Sequence, residues 1–307
     1  MIQPILEWNA IEVARDGETS RLTRCLGYPP IKWINPRAQE GCCQVYISNY
    51  GGGLVDGDSV RMKVDCLPGS RLYLGTQSST KVYKGQGKGG CSQETIGTLH
   101  ANAMVVVGPD PVVPFADSRY RQAQSWEVHP EADLVLFDWL QPGRAARGEV
   151  FAYEIVRSEI RVTRPGGAPL ISERFATEPG SQDPFRCGHF GDFQSFLSVY
   201  LVGPRALRLA ESLEERILGL NKAGQNIRTA SVSTRTASVS TRTASDAGGA
   251  TSGASAIWVG TAKRDGEGFV IRAMGGGRRD LQPLHDMIFA ALADAAWLGF
   301  NPWHRRW

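Results

Sequence analysis

The sequence has no hydrophobic run approaching the roughly 20 residues that a membrane span requires, so no transmembrane segment is expected. Its first residues, Met-Ile-Gln-Pro-Ile-Leu-Glu, lack the basic and apolar regions of a secretory signal. No C-x-x-C pair and no H-x-x-x-H occurs, which removes the usual spacings of a structural zinc site. No G-x-S-x-G elbow occurs, which removes the α/β-hydrolase nucleophile. The charge excess is only +3, too small to argue for a nucleic-acid partner. Six cysteines, Cys25, Cys42, Cys43, Cys66, Cys91 and Cys187, follow no regular spacing. A chain of 307 residues is large enough to hold its core without disulfide staples. Reduced thiols and a cytoplasmic location are therefore expected.

The residues that are present point to turns and strands. The chain has 35 glycines and 17 prolines, while 42% hydrophobic and 21% charged residues are ordinary for a globular protein. The stretch Asn49–Tyr83 is the most informative. Gly51-Gly52-Gly53-Leu54-Val55-Asp56-Gly57-Asp58 places four glycines in eight positions, an irregular turn. Val60, Met62 and Val64 then alternate with Arg61, Lys63 and Asp65 as a half-buried strand does. After a turn at Pro68-Gly69 the alternation resumes at Leu72 and Leu74 and runs into the polar segment 76–83, TQSSTKVY. Further strands are expected at 44–48, 94–100, 102–107, 122–129, 133–139, 149–163, 170–175, 190–202, 255–262 and 268–273, with a hairpin around Gly17.

Two helices are expected. One opens at Gly203-Pro204 and carries a stripe of Ala206, Leu209, Leu213, Ile217 and Leu220. The other is capped by Asp280 and carries Leu281, Leu284, Ile288, Leu292 and Ala295 on one face. Between them the heptad RTASVST occurs at 228–234 and 235–241, and a third copy starts at Arg242. Its only sizeable apolar residues are Val232 and Val239, so a disordered insertion at 222–254 is expected within one domain spanning 1–307.

Candidate chemistry divides into three groups. Gly85, Gly87 and Gly90 match the dinucleotide fingerprint in spacing, but residues 94–107 read as β structure where the fingerprint requires a helix. A small-molecule or nucleotide-dependent enzyme using the Gly85–Gly90 loop is the alternative function. Cys187 and His189, two residues apart, are weak candidates for a metal contact, since thiolate and imidazole are common transition-metal ligands. The third group is polar residues amid apolar strands: Asp56, Asp58, Gln77, Thr80, Lys81, Glu94 and Glu149. They either pair with one another and with glycine-loop amides, or line a hydrated conduit for a divalent cation.

The segments GGGLVDGD and TQSSTKVY, with the strand and Pro-Gly turn between them, closely resemble the signature of the UreD (UreH) family of urease accessory proteins. The resemblance continues at PFADSRYRQ (114–122), at Gly143-Arg144-Ala145-Ala146-Arg147-Gly148-Glu149, and at the chain end, Asn301-Pro302-Trp303-His304-Arg305. Asn49-Tyr50-Gly51 departs from the Asn-Pro-Pro usual in the family. The resemblance implies a mainly β fold, stacked sheets in a coiled, helix-like arrangement with two α-helices. It implies a nickel-insertion chaperone rather than an enzyme, scaffolding UreF and UreG on the urease apoprotein and dimeric within the accessory complex. It implies no cofactor of the chain's own, transient contact with nickel, and GTP only through UreG.

Overall fold

The computed structural model describes residues 7–37, 41–167, 169–186, 189–222, 227–233, 257–264 and 267–302. In chain order the first strands are β1 (Asn9–Asp16), β2 (Thr19–Leu26), β3 (Ile31–Ile34), β4 (Cys43–Asn49), β5 (Ser59–Cys66) and β6 (Arg71–Thr76). They are followed by β7 (Thr80–Val82), β8 (Cys91–Leu99), β9 (Met104–Gly108), β10 (Val112–Pro114), β11 (Arg119–Val128) and β12 (Asp133–Leu140). Then come β13 (Ile155–Thr163), β14 (Pro169–Thr177), β15 (Ser195–Val202) and helix α1 (Pro204–Lys222). The last elements are β16 (Ile227–Ser233), β17 (Ile257–Arg264), β18 (Gly268–Gly275) and helix α2 (Arg278–Leu292).

From β4 onward the chain winds as a coil. Each turn gives one strand to a seven-stranded sheet, ordered β14-β13-β11-β8-β5-β1-β2, and one to an eleven-stranded sheet. The long path of the second sheet is β16-β17-β18-β15-β12-β9-β6-β4-β3, with β7 and β10 joined to its side. Coil neighbours are parallel: β5 with β8, β8 with β11, β6 with β9 and β9 with β12. A coiled backbone supplies parallel neighbours without crossover helices, because successive turns stack directly. The mainly β, stacked and coiled architecture with two helices is thus the one expected.

Alternation along each strand separates two faces. Leu72, Leu74, Val105, Val107, Leu134 and Leu136 face the seven-stranded sheet, and pack with Val64, Leu99, Trp126, Val128 and Val162 from it. A second apolar cluster between the sheets contains Val60, Met62, Cys91, Tyr120, Leu140 and Val156. The outer face of the larger sheet, with Tyr73, Val106, Val135, Phe137 and Val199, is covered by both helices. Helix α1 contributes Ala206, Leu209, Leu213 and Ile217; α2 contributes Leu281, Leu284, Ile288, Phe289 and Leu292. The buried carboxylate of Asp133 accepts the amides of Arg205 and Ala206 at 2.7 and 2.9 Å, closing the first turn of α1 from a neighbouring element.

Several boundaries differ from the sequence reading. The run expected at 149–163 becomes a strand only at Ile155, because Gly148 and Phe151 sit at φ +78° and +52° and turn the chain. Likewise β15 begins at Ser195 rather than at Phe190. The α2 cap is Gly277, with Asp280 within the first turn, and Ala295 lies beyond the helix end, exposed. Within the expected insertion, Ile227–Ser233 pairs with β17 in parallel as an edge strand; residues 234–256 lie outside the described residues. No helix among the described residues is long and apolar enough to cross a membrane.

Candidate functional site

A polar seam separates the two apolar clusters between the sheets. In the seven-stranded sheet, Gln93, Gln122 and Ser158 stand in one cross-strand row, and Thr95 and Gln124 in the next. Hydrophobic rows flank them: Cys91, Tyr120 and Val156 on one side, Trp126 and Val162 on the other. From the opposite sheet, Thr76 and Asp138 face the seam. The row through Asp138 continues to Ser198 of β15 and Arg272 of β18. Arg272 pairs with Glu173 of β14 at 2.5 Å, so the seam runs from one sheet to the other.

Two cavities lie along it and share Asp138. The inner one, about 40 Å³, is bounded by Thr76, Thr80, Gln93, Thr95, Asp110 and Gln122, and has room for water. The outer one, about 370 Å³, is bounded by Ser158, Glu173, His189, Tyr200 and Arg272, with Phe175 and Phe196 stacked at its wall. Asp138 is deep in the protein but meets solvent through these cavities. Its Oδ1 accepts from Gln122 Nε2 at 2.8 Å and its Oδ2 from Ser158 Oγ at 2.9 Å. Burial pushes its pKa up, and the hydrogen bonds from Ser158 and Gln122 only partly oppose this. Among the described residues no cationic side chain forms a salt bridge with it. A carboxylate in such a place keeps an unmet affinity for a cation. Burial likewise raises the Tyr120 and Tyr200 hydroxyls, so both stay neutral hydrogen-bonding groups beside the seam.

The polar residues singled out in the sequence do not all converge there. Thr80 is buried and lines the inner cavity. Asp56 instead organises the Gly85–Gly90 loop: its carboxylate accepts the amides of Gln86 and Lys88 on Oδ2 and of Gly90 on Oδ1, at 2.6–2.7 Å. The amides of Lys88, Gln86 and Gly90 hold its pKa below the ordinary carboxylate range. These donors are the ones a nucleotide phosphate would need, and the loop leads into β8 rather than a helix. Asp58 accepts the Val55 amide at 2.8 Å. Gln77 is exposed and accepts from Ser48 Oγ at 2.6 Å. Lys81 is exposed. Glu94 points to the outer face of its sheet and pairs with Arg61 at 3.3 Å. Glu149 takes a two-pronged grip from Arg144 and accepts the Ala116 amide at 3.2 Å; chiefly Arg144 lowers its pKa. His189 lines the outer cavity, while Cys187 lies outside the described residues.

Sequence reading noted Asp110 only for its spacing after the Gly85–Gly90 loop, and missed Gln122, Gln124 and Asp138 as site residues. A trace of them was available. Tyr120, Gln122, Gln124, Trp126 and Val128 share one parity in β11, so two glutamines occupy positions whose neighbours are core residues.

Comparison with known proteins adds the family context. The sequence profile described as UreD urease accessory protein matches residues 9–307. A urease accessory protein UreD from Cytophaga hutchinsonii is 28% identical over 299 residues, covering 96% of each chain. One from Sorangium cellulosum is 35% identical over 192 residues, covering 62% of this chain and 60% of its own. Urease accessory protein D from Arabidopsis thaliana is 31% identical over 212 residues, covering 67% of this chain and 71% of its own.

Proposed function

Since this chain belongs to the UreD family of urease accessory proteins, which places it in urease maturation, we propose that it scaffolds UreF and UreG on the urease apoprotein and passes nickel through its polar seam. The observation that carries the reading is Asp138, a deep carboxylate without a counter-cation among the described residues, at the junction of two cavities between apolar clusters. A divalent ion crossing a protein must keep most of its hydration or replace it ligand by ligand. Glutamine, threonine and serine side chains can take over one or two waters at a time. Separated carboxylates, Asp110 and Asp138, supply attraction without gathering into a site that would hold the ion permanently. The apolar rows on both sides confine water and cargo to the seam.

Glycine-loop enzymology is the weaker reading, because Asp56 already uses the loop amides. The test is Asp138→Asn in cells that also make UreF, UreG and urease. The variant should recover the complex in a pull-down as well as the native chain does, while the urease it matures carries little nickel. Full nickel loading by this variant would contradict the proposal.

A further inference from the structure

Beside one carboxylate in the wall of the inner cavity stands an arginine at the start of α2. Asp110 bounds the cavity with a side chain only 2% exposed. Thr76 fixes it: Thr76 Oγ1 donates to Asp110 Oδ2 at 3.1 Å and accepts the Asp110 amide at 2.7 Å. Across Asp110 Oδ1, at 3.7 Å, stands Nη2 of Arg278, the first residue of α2. The same guanidinium lies 5.8 Å over the ring of Trp139, which also bounds the cavity. Arg278 therefore sits as a resident cation against the carboxylate that a passing cation would meet. The positive end of the α2 dipole reinforces it.

Which part could move is decided by packing. Leu281, Ile288 and Phe289 are completely buried, so the body of α2 is fixed. The Arg278 side chain is 42% exposed, and its long stem gives the guanidinium reach toward solvent. Trp139 cannot follow, since its indole is buried and donates to Ser195 Oγ at 3.1 Å.

Building on the nickel-passage reading, we propose that Arg278 gates the seam: its guanidinium excludes a hydrated divalent cation from Asp110 while seated, and swinging outward uncovers that carboxylate. A unit positive charge removed from about 4 Å should raise nickel affinity there by roughly tenfold or more, even at the high effective dielectric of a partly exposed site.

The test uses the purified full chain, nickel chloride and equilibrium dialysis, with thermal melts to verify folding. Arg278→Gln should retain roughly tenfold more nickel than the native chain at equal free nickel. Arg278→Lys, which keeps the charge, should behave as native, and adding Asp110→Asn to Arg278→Gln should remove the gain. Equal nickel retention by folded Arg278→Gln and native chains would overturn the gate. So would failure of Arg278→Gln to fold, which would make the arginine a strut. If Asp138→Asn lowers retention while Arg278→Gln changes nothing, the seam stands and the gate falls. If Asp138→Asn has no effect and Asp110→Asn none in the Arg278→Gln background, seam and gate fall together.

Discussion

Asp56 and Asp138 are both carboxylates, yet their surroundings push them in opposite directions. Three amides favour the ionised form of Asp56, so the folded chain holds its proton less readily than the unfolded chain. Its contribution to stability is present above the ordinary pKa of about 4 and is lost as pH falls through the lower folded value. Asp56→Asn should therefore be less stable than the native chain to urea at pH 7, with the gap shrinking toward pH 3. A gap independent of pH would show that the charge is not what organises the loop. Burial raises Asp138, so the native chain loses stability as pH climbs from about 4 through the raised value. Asp138→Asn should melt a few degrees higher than native at pH 7 and equal to it near pH 4. A lower melting temperature at pH 7 would mean the charge is compensated within the fold. A residue that costs stability where it stands is the pattern expected of a functional group.

At the scale of single elements, the fit between β8 and β11 is decided by one glycine. A Cβ on Gly97 would lie 2.0 Å from Cε3 of the fully buried Trp126. Gly97→Ala should cost about 3 kcal/mol in a urea titration, since neither neighbour can retreat; a loss under about 0.5 kcal/mol would contradict this packing. The two helices make a parallel case. Leu213 and Ile288 are both fully buried against the larger sheet. Leu213→Asp or Ile288→Asp should cost about 4 kcal/mol or more, visible as lost soluble yield. These helices were legible in the sequence because their apolar stripes have helical spacing and Pro204 marks one start. Asp133 as the partner of the α1 first turn was not, because it lies more than 70 residues away. Nor was β16: Arg-Thr-Ala-Ser-Val-Ser carries no core signal, and its pairing comes from β17. The alternation of β5, β6, β9 and β12 revealed strands but not their coil, since parallel stacking is a relation between distant segments.

For the whole molecule, the coil explains why sequence motifs and the candidate site separate. The glycine motif, the TKVY strand, the Phe115 turn and the Arg144–Glu149 grip are joined by backbone bonds from Leu54 to Lys81, Tyr83 to Leu54, Phe115 to Val82 and Asp117 to Ala152. They hold successive turns together at one side of the coil. The seam lies deeper, where cross-strand rows from separate strands bring Gln93, Thr95, Gln122, Gln124, Ser158 and Asp138 together. No two of those strands announce in sequence that their rows will align, so the seam emerges only when the coil closes. Its narrow part is a space of about 40 Å³ beside Thr95, which is buried on β8. Replacing that hydroxyl by a larger apolar side chain, Thr95→Leu, would take up part of this space and make the neck apolar without altering any charge. The decisive measurement is nickel per urease active site after maturation with this variant, alongside recovery of the accessory complex. The account predicts an intact complex and a urease nearly empty of nickel; an intact complex with fully loaded urease would contradict it.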